Sequence, residues 1–253
     1  RPDRIELEKA LRRWADVSWF LDEAAAGDAR PAAGAARPLP AAWRLGSKPN
    51  LRQMHDDART RVGPELVEAR LLDEIGKTKS LTSGASAAGA RVHTLPDKPN
   101  DIEDDGELHF AVLHPKAASE AGKPSPEARR FLEETTSPDR PRVFRNAVVL
   151  AAPSRDGLEV ARDRVRDYLA WEDVRSQLRE QLKGQEIDPI REQTLATKID
   201  GARKAIPEAI RQAYCIVVTV SEKNEPQAFR IAGSDEPLFT TIKADSRARI
   251  QET

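Results

Sequence analysis

Two runs, "RNAVVLAA" at residues 145–152 and "AYCIVVTV" at residues 213–220, decide how this chain folds. Each is almost unbroken in β-branched and small apolar residues, the pattern of a strand covered on both faces. Strands of that kind belong to sheets with helices packed on them, so the runs predict a largely parallel sheet. "ARVHTL" (90–95) and "ELHFAVL" (107–113) are shorter runs of similar texture. Helical patterns lie between them. Residues 125–135 have Ser125 as N-cap and Pro126 at the first helical position. Residues 155–183 carry Leu158, Ala161, Val165, Tyr168, Leu169, Val174 and Leu178 at helical spacing, and 188–213 open on Asp188-Pro189 with an interruption or kink near Pro207. The alternation predicts a layered α/β domain with a mostly parallel sheet over residues 88–253.

The first 87 residues read differently. Leu7, Ala10, Leu11, Trp14, Val17 and Leu21 form a helical stripe over 3–25. An Ala/Pro/Gly-rich linker at 24–42 follows, in which Pro31, Pro38 and Pro40 interrupt any helix. Asn50 is an N-cap candidate for a helix from Leu51, and Pro64 suits the first turn of another reaching about Lys79. Residues 1–87 are therefore expected to be a helical segment.

The 253 residues hold 41 basic and 42 acidic side chains, for a formal net charge of −1. That balance gives no support to a dedicated nucleic-acid surface. The single cysteine, Cys215, excludes an intramolecular disulfide and fits a reducing cytoplasm; its apolar setting reads as a buried structural thiol. No apolar stretch is long enough for a membrane span and no secretory leader is evident. The opening Arg1-Pro2-Asp3, in place of Met, reads as a portion of a longer polypeptide.

Three motifs invite chemistry. Gly76-Lys77-Thr78 imitates the end of a phosphate-binding loop, yet the first glycine would fall at Leu71 and "VEARLLDE" before it is helical. Gly84 and Gly89 have loop spacing but lead into Ala90-Arg91, without lysine or hydroxyl. "DIEDDGE" at 101–107 resembles the start of a calcium loop, but its twelfth position is Val112, and it reads as a solvated acidic turn. His55, His93, His109 and His114 are too scattered for a zinc motif. The interleaved Arg and Asp/Glu of 155–180 describe an ion-paired helix surface.

In parallel α/β sheets, ligands gather beyond the carboxyl ends of strands. That rule nominates Ser154, Arg155 and Asp156 after one strand and Glu222, Lys223 and Asn224 after another, as two sides of one ligand or partner crevice.

The stretches "RRWADVSWFLDE" (12–23), "AAWRLGSKPNLRQMHDDA" (41–58), "RPRVFRNAVVLAAPSRDGLEVARDRVRDYLAWEDV" (140–174) and "IPEAIRQAYCIVVTVSEKNE" (206–225) resemble bacterial predicted AAA-type ATPases that carry domain of unknown function 499. The resemblance covers about Leu7 to Lys243 and rests on long segments, with no catalytic motif among them. It implies a parent protein that binds and hydrolyses ATP with magnesium, through motifs that precede this region. It also implies association with DNA methyltransferases and other restriction or phage-defence components. It carries no catalytic, cofactor or metal residue onto this chain. The expectation is an accessory region that couples to the ATPase core of the same polypeptide or binds a partner. The alternatives are that the α/β half is a divergent nucleotide-binding or nuclease-like domain using Asp156 and Glu222, or that the helices at 51–79 and the strands after them form a winged-helix-like DNA-binding module.

Overall fold

In the computed structural model, which describes residues 4–17, 21–23, 43–45, 50–182, 189–233 and 236–251, the chain divides into two units. One comprises residues 1–62 and 169–199, the other 63–168 and 200–253. Helix α3 (Pro64–Lys77), read from sequence as part of the helical segment, belongs to the second unit.

In the first unit, helix α1 (Arg4–Val17) ends well before residue 25, where a continuous helix was expected. Strand β1 (Leu21–Glu23) follows it and pairs antiparallel with β2 (Trp43–Leu45), so strand pairing overrides the helical stripe there. The Ala/Pro/Gly-rich stretch between them lies outside the described residues. Helix α2 (Leu51–Arg61) begins where its cap predicts: the Asn50 carboxamide accepts from the amides of Arg52 at 2.7 Å and Gln53 at 3.1 Å. Such a cap contributes about 1 kcal/mol. His55 stacks on Trp171 with ring centroids 4.1 Å apart.

The second unit is built on a five-stranded sheet. Strands β3 (Arg91–Thr94), β4 (His109–Val112) and β5 (Val148–Ala152) are parallel, and β6 (Ile216–Val220) and β7 (Pro226–Arg230) complete the order β3-β4-β5-β6-β7. Both decisive runs form strands with buried residues on both faces, as expected. The sheet is mixed, however, because β6 runs antiparallel to β5 and to β7. Four strands share one direction and β6 opposes them.

The reason lies in the connection. Two helices, α5 (Arg155–Leu182) and α6 (Pro189–Ala213), separate β5 from β6. One crossover helix leaves the next strand parallel; a second helix returns the chain to the edge it left. The Ser154 amide donates to the Ala213 carbonyl at 2.8 Å, so β6 starts beside the carboxyl end of β5. It can only run back.

Helix α4 (Pro126–Glu133) is capped as predicted, with the Ser125 hydroxyl accepting from the Ala128 amide at 3.2 Å. Leu158, Ala161, Val165 and Tyr168 of α5 and Ala202, Ile206, Ile210 and Ala213 of α6 are buried in this unit. Helix α7 (Leu238–Gln251) sets Phe239 edge-on against Phe110 at 5.1 Å. Neither α7 nor β7 stands out in the sequence; in β7 only Ala228 is buried. Cys215 is buried beside the first residue of β6.

Gly157 sits where α5 meets the end of α6. A Cβ there would lie 2.6 Å from the Ala213 Cα and 2.8 Å from the Ser154 hydroxyl. Gly to Ala within a helix ordinarily stabilises by about 1 kcal/mol, whereas overpacking costs about 1–3 kcal/mol. Urea denaturation of Gly157→Ala should therefore show net destabilisation; a gain in stability would contradict the close approach.

Candidate functional site

The antiparallel β6 separates the two nominated loops. Ala152 pairs with Ile216 and Leu150 with Val218, so the carboxyl ends of β5 and β6 point to opposite edges of the sheet. The shared crevice of Ser154, Arg155, Asp156, Glu222, Lys223 and Asn224 is not formed. Each loop has a structural task instead. The buried Ser154 caps α5, its hydroxyl accepting from the Gly157 amide at 3.2 Å. Arg155 makes a long 3.7 Å ion pair with Glu120, and Asp156 is exposed. Glu222, Lys223 and Asn224 form the exposed tip of the β6–β7 hairpin, with Asn224 at a φ of 58° and the Ser221 amide bonded to the Glu225 carbonyl at 2.8 Å. That is a hairpin turn closed by a left-handed residue. Asp156 and Glu222 cannot converge on a metal as a nuclease pair would. Because β3 and β4 run parallel, the strands after α3 do not make the antiparallel wing of a winged helix.

Gly76-Lys77-Thr78 lies at the carboxyl end of α3, as the sequence suggests. Lys77 pairs with Asp73 and the Thr78 hydroxyl donates to the Glu74 carbonyl at 2.7 Å. This helix end presents carbonyl oxygens, the wrong polarity for a phosphate. Gly84 and Gly89 are left-handed turn residues.

The acidic turn 101–107 is wired to the sheet by hydrogen bonds and ion pairs rather than merely solvated. Arg142, 2% exposed, donates its guanidinium to four carbonyls: Pro99 at 2.9 Å, Ile102 and Glu103 at 3.0 Å, and Phe131 at 3.2 Å. Burial lowers its pKa, opposed by the nearby Asp104 carboxylate. Asp104 in turn accepts from the amides of Val143 at 2.7 Å and Phe144 at 2.9 Å. The Phe144 ring rests over Gly106, whose φ is 82°. Val143 and Phe144 are thus held on a fixed backbone with their side chains outward, 76% and 43% exposed.

At the amino edge of β3 and β4, Arg91 pairs with Glu103, with Asp105 at 2.9 Å and with Glu107 at 2.6 Å. The Asp105 carboxylate also takes a 2.9 Å hydrogen bond from Nε2 of His109, which is 1% exposed, and a 3.0 Å bond from the Glu107 amide. These hydrogen bonds, His109 foremost, hold the Asp105 carboxyl down at about 2. With Nε2–H committed to the carboxylate, Nδ1 of His109 is the acceptor, and Nε2 of His93 donates to it at 3.0 Å. The parallel register makes this possible by placing His93 beside Ala111, two residues along from His109 on the same face. The outer nitrogen of His93 ends the line. Such a line can take up or pass a proton; no cluster of three metal-ligating side chains occurs among the described residues.

In the sequence Asp105 stands only in a run that resembles the start of a calcium loop, and His93 and His109 lie far apart. The line depends on parallel pairing between strands that are distant in sequence, so no local spacing signals it. Arg142 carried no signal beyond its family-like surroundings.

No protein-family model, curated protein or solved structure matches the chain. Among the described residues, no helix is long and apolar enough to cross a membrane.

Replacing Arg142 by Met strands four buried or half-buried carbonyls, and each unsatisfied group costs about 1–3 kcal/mol. Chemical denaturation should show a loss on the order of 3 kcal/mol after partial relaxation. Arg142→Lys should recover only part of it, since one ammonium lacks the fork that spans the turn and α4. A loss indistinguishable from an ordinary surface change would refute the anchoring role.

Proposed function

We propose that this chain is an accessory region of a larger cytoplasmic AAA-type ATPase of the DNA-modification or phage-defence kind, and that it acts by docking against the ATPase core or a partner protein. It supplies no step of ATP chemistry itself; ATP and magnesium belong to the core. The resemblance of four long segments to that family is one support. The observation that carries the docking role is Val143-Phe144, which lies in the longest of those segments. Val143 stands in solvent and the Phe144 ring lies half-exposed over Gly106, while the Asp104 carboxylate fixes their amides and the buried Arg142 fixes the turn behind them. A contact held rigid before binding loses little conformational entropy when a partner arrives, and aromatic anchors contribute strongly to interfaces.

The test uses the intact parent polypeptide carrying Val143→Asp with Phe144→Ser. The isolated chain with the same changes should keep its stability within about 0.5 kcal/mol, since both residues are exposed. ATP turnover or partner recovery by the parent should fall at least tenfold. Full turnover and partner recovery in a stably folded variant would remove this surface as the docking site.

A further inference from the structure

The five-stranded sheet ends on β3 at one side and on β7 at the other, and the two outer strands are finished differently. On β7 the Gly122 amide donates to the Ala228 carbonyl at 2.7 Å, so the turn at Glu120–Lys123 covers part of that edge. On β3 no such cover occurs among the described residues. The amides of Arg91 and Leu95 both donate toward β4, to the carbonyls of Leu108 and Val112 at 2.8 Å. Strand backbones alternate, so His93 faces β4 as well, and Val92 and Thr94 turn their N–H and C=O groups outward. Unpaired backbone along an outer strand is a template for a further strand. The template is short. Ala90 precedes it with its amide returned to the Ala85 carbonyl, and Leu95, at a φ of 53°, and Pro96 end it.

Charge sets what belongs beside this edge. Arg91 and His93 lie on one face of β3. Around them stand the carboxylates of Asp101, Glu103, Asp105 and Glu107, the last three engaged with Arg91. The other cation here, Arg142, is buried and spent on carbonyls. An acidic excess is left, with the Glu103 and Glu107 side chains 64% and 57% exposed. His93 adds an acceptor, because its Nε2–H goes to His109 and leaves the Nδ1 lone pair. A basic side chain is the complement.

We propose that the β3 edge takes an extended segment of a partner protein as an added antiparallel strand, with a Lys or Arg opposite His93 between two β-branched residues. This rests on the docking reading above and specifies what docks: the same acidic turn carries the Phe144 ring over Gly106, so the edge and the apolar contact border one another. In antiparallel pairing the residues opposite Val92 and Thr94 exchange backbone hydrogen bonds with them. The residue between sits about 4.5 Å from His93 between Cα atoms, with its side chain on the same face. Its cationic head is there within reach of Glu103 and of His93 Nδ1. Main-chain bonds supply affinity in this mode, and the alternate side chains supply specificity. A second copy of β3 fits less well: the register that satisfies Val92 and Thr94 sets His93 against its own copy and leaves the acidic excess unmatched.

The test is an NMR titration of the full ¹⁵N-labelled chain at low salt with the peptide acetyl-Thr-Val-Lys-Val-Thr-amide. Peptide is added to about 5 mM, a range that resolves millimolar Kd values. The amides of Val92 and Thr94 should shift most, and saturably. The same peptide with Glu in place of Lys should bind at least about tenfold more weakly, since like charges oppose each other across the pair. N-methylation of both valines removes the N–H groups that donate to the Val92 and Thr94 carbonyls, and should abolish binding. Because only the peptide is varied, folding of the chain does not enter. Shifts absent from β3, equal affinity for the Lys and Glu peptides, or binding that survives N-methylation would each overturn the proposal. So would concentration-dependent shifts of Val92 and Thr94 without peptide, the mark of a second copy on the edge. Turnover of the parent carrying Val143→Asp with Phe144→Ser decides the docking reading separately, so a failure of one is told from a failure of the other.

Discussion

The return of the chain through two helices between β5 and β6 is the constraint on which the sheet depends. Ser154 and Gly157 at the start of α5 meet Ala213 at the end of α6, through a 2.8 Å backbone hydrogen bond and an approach that leaves no room for a Cβ. With both ends of the helical excursion fixed at one edge, β6 has a single possible direction. Its opposition to β5 then allows the tight hairpin into β7, which a parallel strand could not make. Tyr214, at this junction, donates its hydroxyl to the Leu113 carbonyl at 2.7 Å, and its burial raises the phenol pKa. The bond ties the start of β6 to the chain leaving β4.

The opposite edge of the sheet is organised by charge rather than by packing. A buried guanidinium is costly unless its donors are satisfied, and Arg142 meets that condition with backbone carbonyls instead of a carboxylate. This leaves the carboxylates of the turn for other partners. Asp101 accepts the amides of Asp97 and Lys98, Asp104 those of Val143 and Phe144, and Asp105 the imidazole of His109. An acidic run that looks like a cation site is thus consumed in holding its own loop and the exposed Val143-Phe144 backbone.

Much of this architecture was legible in the sequence. The caps Asn50 and Ser125 and the runs forming β5 and β6 are local signals, written in neighbouring residues. The direction of β6 was written there too, in the count of helices between the strands, but continuous apolar runs say only that a strand is buried, not which way it runs. The loops at 154–156 and 222–224 do not meet for that reason: the carboxyl-edge rule holds for strands that share a direction, and β6 points the other way from β5. Strand β7 was missed because an edge strand needs little apolar burial. The His93–His109 contact was out of reach, since it exists only once β3 and β4 are set side by side in register.

The direction of β6 can be measured without reference to any activity. Spin labels at positions 155 and 223, in a chain whose Cys215 is replaced by Ser, report the separation of the two loops by pulsed electron resonance. With β6 antiparallel to β5, strands of five residues at a rise of roughly 3.3 Å per residue hold the labels at least about 16 Å apart. A separation near about 10 Å, as for loops on adjacent parallel strands spaced roughly 4.8 Å apart, would contradict the account.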